Sequence, residues 1–168
     1  SVVHQDPRTI TEIESAIKAI GLIVEKEKQA EALVRTMQAE FAAVQKTAKF
    51  LPRKPRVYIE EWHHPPMVSG NWVPEVVRIA GGEPSFLPAR APSRVIELSE
   101  VQTFDPDLVV LSICGAGKFA EPSLLRSRVG WSDLRAVKNN HLFVLHDSLL
   151  NRPGPRLTEA ARQLYGLI

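Results

Sequence analysis

Four of the five histidines and the single cysteine lie beyond residue 60, and they include the side chains best suited to chemistry. His63 and His64 stand side by side in EWHHPPMVSGN, residues 61–71, with Trp62 and Met67 close by and Trp72 directly after. Neutral imidazole is the commonest metal ligand. Adjacent residues, however, seldom turn both rings toward one ion, and neither HxxxH nor HxxEH spacing is present, which disfavours a zinc site built by protein alone. One imidazole capping a ligand that already carries its own metal fits the pair better. Trp62, Met67 and Trp72, on a loop stiffened by Pro65 and Pro66, make a preformed wall for a flat ligand. The plain alternative is that the two tryptophans roof the local core, and both readings stay open.

Three further groups follow apolar runs. Gly115, Gly117 and Lys118 occur in GAGKFAEPS, which lacks the GxxxxGK and following Ser or Thr of a phosphate loop. The glycines instead permit a sharp turn or close backbone approach to a ligand. Cys114 has no sequence-local His or Lys to activate it and reads as a buried structural thiol. His146 and Asp147 end another apolar run, and either that pair or His63 and His64 suggest the alternative of a small cytosolic α/β metal-dependent hydrolase. That alternative lacks a GxSxG nucleophile and a complete metal set. Arg152 and Arg156 precede the last helical pattern, where they can hold carboxylate or phosphate groups or simply stay solvated.

These residues need elements to position them. The chain has 168 residues, 44% hydrophobic and 24% charged, a composition that excludes a disordered tail, a collagen-like repeat or a coiled-coil rod. Its 21 Lys and Arg against 19 Asp and Glu give a net charge of +2, too balanced for a phosphate-tracking surface, so nucleic acid is a poor partner. No apolar run approaches the roughly 20 residues that cross a bilayer, and the first residues lack the basic-then-apolar order of a signal peptide. One cysteine excludes an internal disulfide.

Of 13 prolines, 12 lie between Pro52 and Pro155, which divides the chain near residue 51. Before that point Thr9 and Glu12 form a capping box, and Ile10, Ile13, Ile17 and Ile20 predict a helix ending near Gly21. Ala30, Leu33, Met37, Phe41, Val44, Ala48 and Leu51 predict a second helix over residues 25–50, roughly 39 Å long. Core packing or a helix pair is the plain reading of this stripe; a rigid strut between two lobes is the sharper one. Beyond residue 55, apolar runs at Val57–Glu60, Leu108–Ile113 and Leu142–Leu145 alternate with helical patterns at Trp72–Ala80, Ser99–Phe104, Glu121–Arg126, Trp131–Val137 and Pro155–Tyr165. Asn71 is placed to cap the first of these helices, and Gly81 and Gly82 to stop it. Alternating strands and helices imply a parallel layered α/β sheet, whose ligands bind beyond the carboxyl ends of the strands. Those segments are 61–71, 114–120 and 146–156.

Four ordered stretches carry a family resemblance: PRVYIEEWHHPPMVSGNWVPEVVRIAGGEP at 55–84, FDPDLVVLS at 104–112, GWSDLRAVKNNHLFVLHDS at 130–148 and NRPGPRLTEAARQLYGL at 151–167. Together they resemble the substrate-binding proteins of ABC importers for cobalamin and ferric siderophores, two-lobed proteins joined by one long helix. The stretch from Trp62 to Glu83 is most similar to the cobalamin-binding branch. His63-His64 departs from the aliphatic and acidic residues expected there.

The resemblance implies a three-layer α/β/α lobe with a parallel, Rossmann-like sheet, preceded by a long interlobe helix, with most of the N-terminal lobe outside these residues. Residues 1–24 then correspond to the exit of that lobe and a first helix, with Ser1 to Arg8 as its final strand and exit; 25–50 to the interlobe helix; and 51–168 to the C-terminal lobe. It implies an extracytoplasmic, non-enzymatic protein without a resident cofactor. Such a protein captures a corrinoid, or next a ferric siderophore or heme, for a membrane permease. Trp62, His63, His64, Met67, Trp72, Gly115, Gly117, Arg152 and Arg156 are the implied ligand-binding residues. Glu83, in the GGE at 81–83, is implied as the surface glutamate offered to the permease.

Overall fold

The Thr9 hydroxyl accepts the Glu12 amide at 3.1 Å, and the Glu12 carboxylate accepts the Arg8 amide at 2.7 Å, so α1 (Ile10–Ile23) starts where the capping pattern predicts. The computed structural model describes residues 2–168, and residues 2–8, expected to include a strand, have no regular structure. A tight connection with Glu25 at φ 56° leads into α2 (Glu27–Ala48), 22 residues and about 33 Å long. The two helices cross so closely that a Cβ on Gly21 would lie 2.4 Å from the Ala30 Cβ, which requires glycine there. The buried stripe of α2 is Ala30, Val34, Met37, Phe41 and Val44. Leu33, expected in that stripe, is 37% exposed because the steps of four and three pass through its neighbour. This stripe packs α2 against α1, α3 (Val73–Ile79) and α8 (Leu157–Leu167).

The sheet is built on three parallel strands: β1 (Arg56–His63), β5 (Leu108–Leu111) and β6 (Leu142–Val144). Two antiparallel strands on one side, β2 (Pro66–Val68) and the edge strand β4 (Arg94–Val95), complete the order β4-β2-β1-β5-β6, and β3 (Glu83–Pro84) pairs in parallel with the start of β1. The sheet is therefore mixed rather than wholly parallel. Val57, Ile59, Leu108 and Val110 pack toward α1, α2, α3 and α8. Tyr58, Val109 and Leu111 pack on the other side, with α4 (Leu98–Phe104), α5 (Ser123–Ser127) and α6 (Arg135–Lys138). Both faces of β1 and β5 are thus covered, which is why β5 reads as an unbroken apolar run. The result is the three-layer α/β/α lobe expected.

Four local expectations are corrected. Residues 61–71, read as a loop, are largely a β-hairpin, in which Trp62 pairs with Met67 and His63 with Pro66. Asn71 does not cap α3: it stands at φ 53° with its amide donating to the Ala91 carbonyl at 2.6 Å, and Trp72 occupies the cap position. Of Trp131–Val137, only the end is helical, and a short α7 (Asp147–Leu150) occupies part of an expected loop.

Candidate binding face

The segments beyond the carboxyl ends of β1, β5 and β6 are knitted into one face. The Cys114 amide donates to the Glu61 carbonyl at 3.0 Å, and the Gly115 amide donates to Asp147 Oδ2 at 3.1 Å. Asn151 donates to the Ser112 carbonyl at 2.6 Å and to Cys114 Sγ at 3.1 Å. Gly117, at φ 57°, presents its backbone to the His146 ring, where a Cβ would approach Nε2 to 3.2 Å. The β5 loop is in this way pinned to both neighbours, at the position where α/β sheets bind ligands.

The expected wall divides. Trp62 is 45% exposed on the hairpin, its indole N–H donating to the His64 carbonyl at 2.9 Å, and His64 is exposed beside it. Met67 is half-buried across the hairpin from Trp62. Trp72 is instead part of the core, 8% exposed, with its indole N–H donating to the Leu150 carbonyl at 2.7 Å. Most of the ring therefore roofs the core, and only an edge is left at the surface. Phe119, on the β5 loop, is 80% exposed and was not singled out by any sequence pattern. Gly115 has open space where a Cβ would stand, and Arg152 and Arg156 are exposed at the start of the last helix. A depression of about 280 Å³ lies next to this face, lined by Arg8, Asn71, the exposed edge of Trp72, Pro92 and Pro153 among others. Glu83 lies elsewhere: it is exposed at the amino end of the sheet, beside a cavity of about 550 Å³ lined by Phe86, Glu100 and Phe104.

Below the hairpin is a polar network that sequence reasoning missed. Glu60 is fully buried and accepts two hydrogen bonds from Arg128, at 2.8 and 2.9 Å, and one from the Tyr58 hydroxyl at 3.1 Å. Arg128 also lies over the Trp131 ring, 4.3 Å from its centre. The third partner of Glu60 is His63, whose Nδ1 is 2.7 Å from Glu60 Oε1. In a regular strand residues three apart face opposite sides, but a register shift between Glu60 and Trp62 bends β1 and brings the two together. The available signal was the pair Glu60-Glu61 ending an apolar strand, since alternation must turn one carboxylate inward. For Glu61, burial raises the carboxyl pKa above its ordinary value. Burial also acts to raise that of Asp147, but the hydrogen bond from the Gly115 amide, with further support from the Ser148 amide, outweighs it and lowers the value.

The family model for periplasmic binding protein matches residues 1–149. The chain belongs to that family. An uncharacterized ABC transporter substrate-binding lipoprotein of Bacillus subtilis, YvrC, is 24% identical over 95% of this chain and 50% of its own length. The vitamin B12-binding protein of Vibrio parahaemolyticus is also 24% identical, over 95% of this chain and 56% of its own. Among solved structures, IsdE of S. aureus complexed with heme superposes with a TM-score of 0.83 at 19% identity, covering 95% of this chain and 65% of that one. The chain thus spans about half the length of the curated relatives it matches.

In this periplasmic binding protein the hydrolase alternative finds no support. Cys114 is exposed rather than buried as expected, but desolvation raises its thiol pKa, the reverse of what an attacking thiolate needs. His146 Nδ1 accepts the Ser148 amide at 3.2 Å, so that nitrogen caps α7. Among the described residues no three His, Cys, Asp or Glu side chains converge on a metal position.

Proposed function

We propose that this chain is part of an extracytoplasmic substrate-binding protein that captures a metal-chelate nutrient and delivers it to the permease of an ABC importer. A corrinoid is the first choice of cargo, with heme or a ferric siderophore next. The observation that carries this reading is the face at the carboxyl ends of the strands: exposed Trp62 and Phe119 and half-buried Met67 on pinned loops, with Arg152 and Arg156 exposed beyond them. Flat apolar surface with cationic groups nearby suits a planar chelate bearing polar substituents. The vitamin B12-binding relative and the heme complex of a similar fold support the same class of cargo.

In this reading residues 25–50 join two lobes, 51–168 form one of them, and 1–24 lead out of the other. Glu83 docks the permease, and its place at the opposite end of the sheet from the binding face supports a division of labour. Titration with cyanocobalamin, hemin and a ferric hydroxamate tests the cargo, with saturable binding of at least one expected. Saturable binding of none removes the proposal, and preference for the hydroxamate removes the corrinoid choice. For docking, Glu83→Arg is expected to lower importer-dependent uptake and leave ligand affinity unchanged; unchanged uptake removes Glu83 from that role.

A further inference from the structure

We propose that His63, and not His64, is an axial ligand to the metal of the captured chelate, which restricts the cargo to chelates with an open or water-occupied axial position. This rests on the capture function proposed above and deepens it.

Geometry sorts the two histidines. Nδ1 of His63 is 2.7 Å from Glu60 Oε1 and 3.3 Å from an Arg128 guanidinium nitrogen; the carboxylate only accepts and the guanidinium only donates, so the much shorter contact sets the tautomer, Nδ1 carries the proton to Glu60, and the Arg128 approach is not a hydrogen bond. In the neutral ring the lone pair then belongs to Nε2, which has no hydrogen-bond partner among the described residues while the ring is 22% exposed. A carboxylate holding one imidazole nitrogen while the other is free for a metal is the usual outer-shell arrangement of metal-bound histidine, and it fixes both tautomer and ring orientation. Glu60 itself cannot swing away, because Arg128 and Tyr58 hold it at three points. Arg128 also balances the carboxylate charge, so the Glu60 bond does not require a charged imidazole.

His64 lacks this preparation. Its backbone carbonyl is held by Trp62, but its side chain is exposed and has no orienting hydrogen bond among the described residues. Ligation through His64 would have to order a free side chain, an entropic cost that His63 has already met on folding. Corrin and porphyrin cargo share this axial chemistry.

Hemin, aquocobalamin and cyanocobalamin, each added to the chain and followed by absorbance, separate the possibilities. Hemin or aquocobalamin is expected to shift to the spectrum of an imidazole-ligated metal, whereas cyanocobalamin, with its axial position filled by cyanide, is expected to show no ligation shift. His63→Gln keeps a donor for Glu60 and removes the ligating nitrogen, so it is expected to abolish the shift. His64→Ala and His146→Ala are expected to retain it. In the unmodified chain, nuclear magnetic resonance of the ring nitrogens reads the same event independently: aquocobalamin is expected to move Nε2 of His63 and leave His64 in place. A shift that survives His63→Gln, or a resonance change at His64 alone, overturns the assignment. Saturable binding with the unligated spectrum also overturns it while leaving the capture function standing, and no saturable binding of any chelate removes both.

Discussion

Asp107 at the amino end of the sheet and Glu60 at its carboxyl end are both buried carboxylates served by arginine, yet their partners differ in kind. Asp107 accepts the Arg56 backbone amide at 2.7 Å and Arg53 at 3.0 Å, with Arg135 at 3.2 Å. Its arginine partners are long and well exposed, 66% for Arg53 and 44% for Arg135, and Asp105 shares Arg135 and Arg56. Glu60 is held only by side chains set in the packed interior or at its edge: Arg128, Tyr58 and His63. The amino-end cluster is one of several charges sharing partners, and removing a partner leaves water and other arginines to take its place. At the carboxyl end the substitutes are missing, and one partner keeps a nitrogen in reserve. Charge at one end closes the fold, while at the other it aims a side chain.

Removal of one arginine at each end tests that contrast most strongly. Arg128→Ala leaves Glu60 buried without its counter-charge and is expected to cost about 3 to 5 kcal/mol in denaturant unfolding. Arg53→Ala is expected to cost about 1 kcal/mol or less, because an exposed arginine contributes little even to a buried acid. Equal losses would erase the distinction. Trp72→Ala belongs with the large effects, about 3 to 5 kcal/mol of stability for a core tryptophan, and a variant that folds normally but loses ligand would return Trp72 to the wall.

Intermediate effects come from pH. For Asp107, burial works to raise the pKa, but the Arg56 amide and the Arg53 charge prevail and hold it below the ordinary 3.8. Its stabilisation is therefore present above that value and is lost as pH falls through the lower folded value. Asp107→Asn should be less stable than the parent at neutral pH, with the gap closing in acid. Glu61 runs the other way, since burial raises its pKa above the ordinary 4.5. Its contribution is present below that value and is lost as pH rises through the folded value, so Glu61→Gln should improve relative to the parent as pH increases. Melting temperatures of both variants across the acid range check the two signs. Parallel profiles would show that the two sites are electrostatically alike. The smallest stability effect is expected for Trp62→Ala, within about 0.5 kcal/mol of the parent, together with weaker chelate binding by absorbance titration. Unchanged binding would take Trp62 out of the face.

Much of the fold is written in local spacing. Thr9 and Glu12 mark the start of α1, the unbroken Leu108–Leu111 run marks a strand covered on both faces, and Gly81 and Gly82 mark the end of α3. These depend on neighbours a few residues away, where helical and strand periodicity act directly. The same alternation located the three loop segments of the candidate face, and the ordered motifs carried the family.

Tertiary structure decided the roles of individual side chains. Trp62 and Trp72 are equivalent as residue types, but only the chain path to Leu150 sends Trp72 into the core. His63 and His64 are adjacent, and the register shift in β1 turns only one of them onto Glu60. Arg128, 68 positions from Glu60, completes that pair across the fold. A contact at such separation has no local periodicity to announce it, because it is selected by burial: a carboxylate forced inside the sheet needs a cation, and only the folded chain brings one within reach.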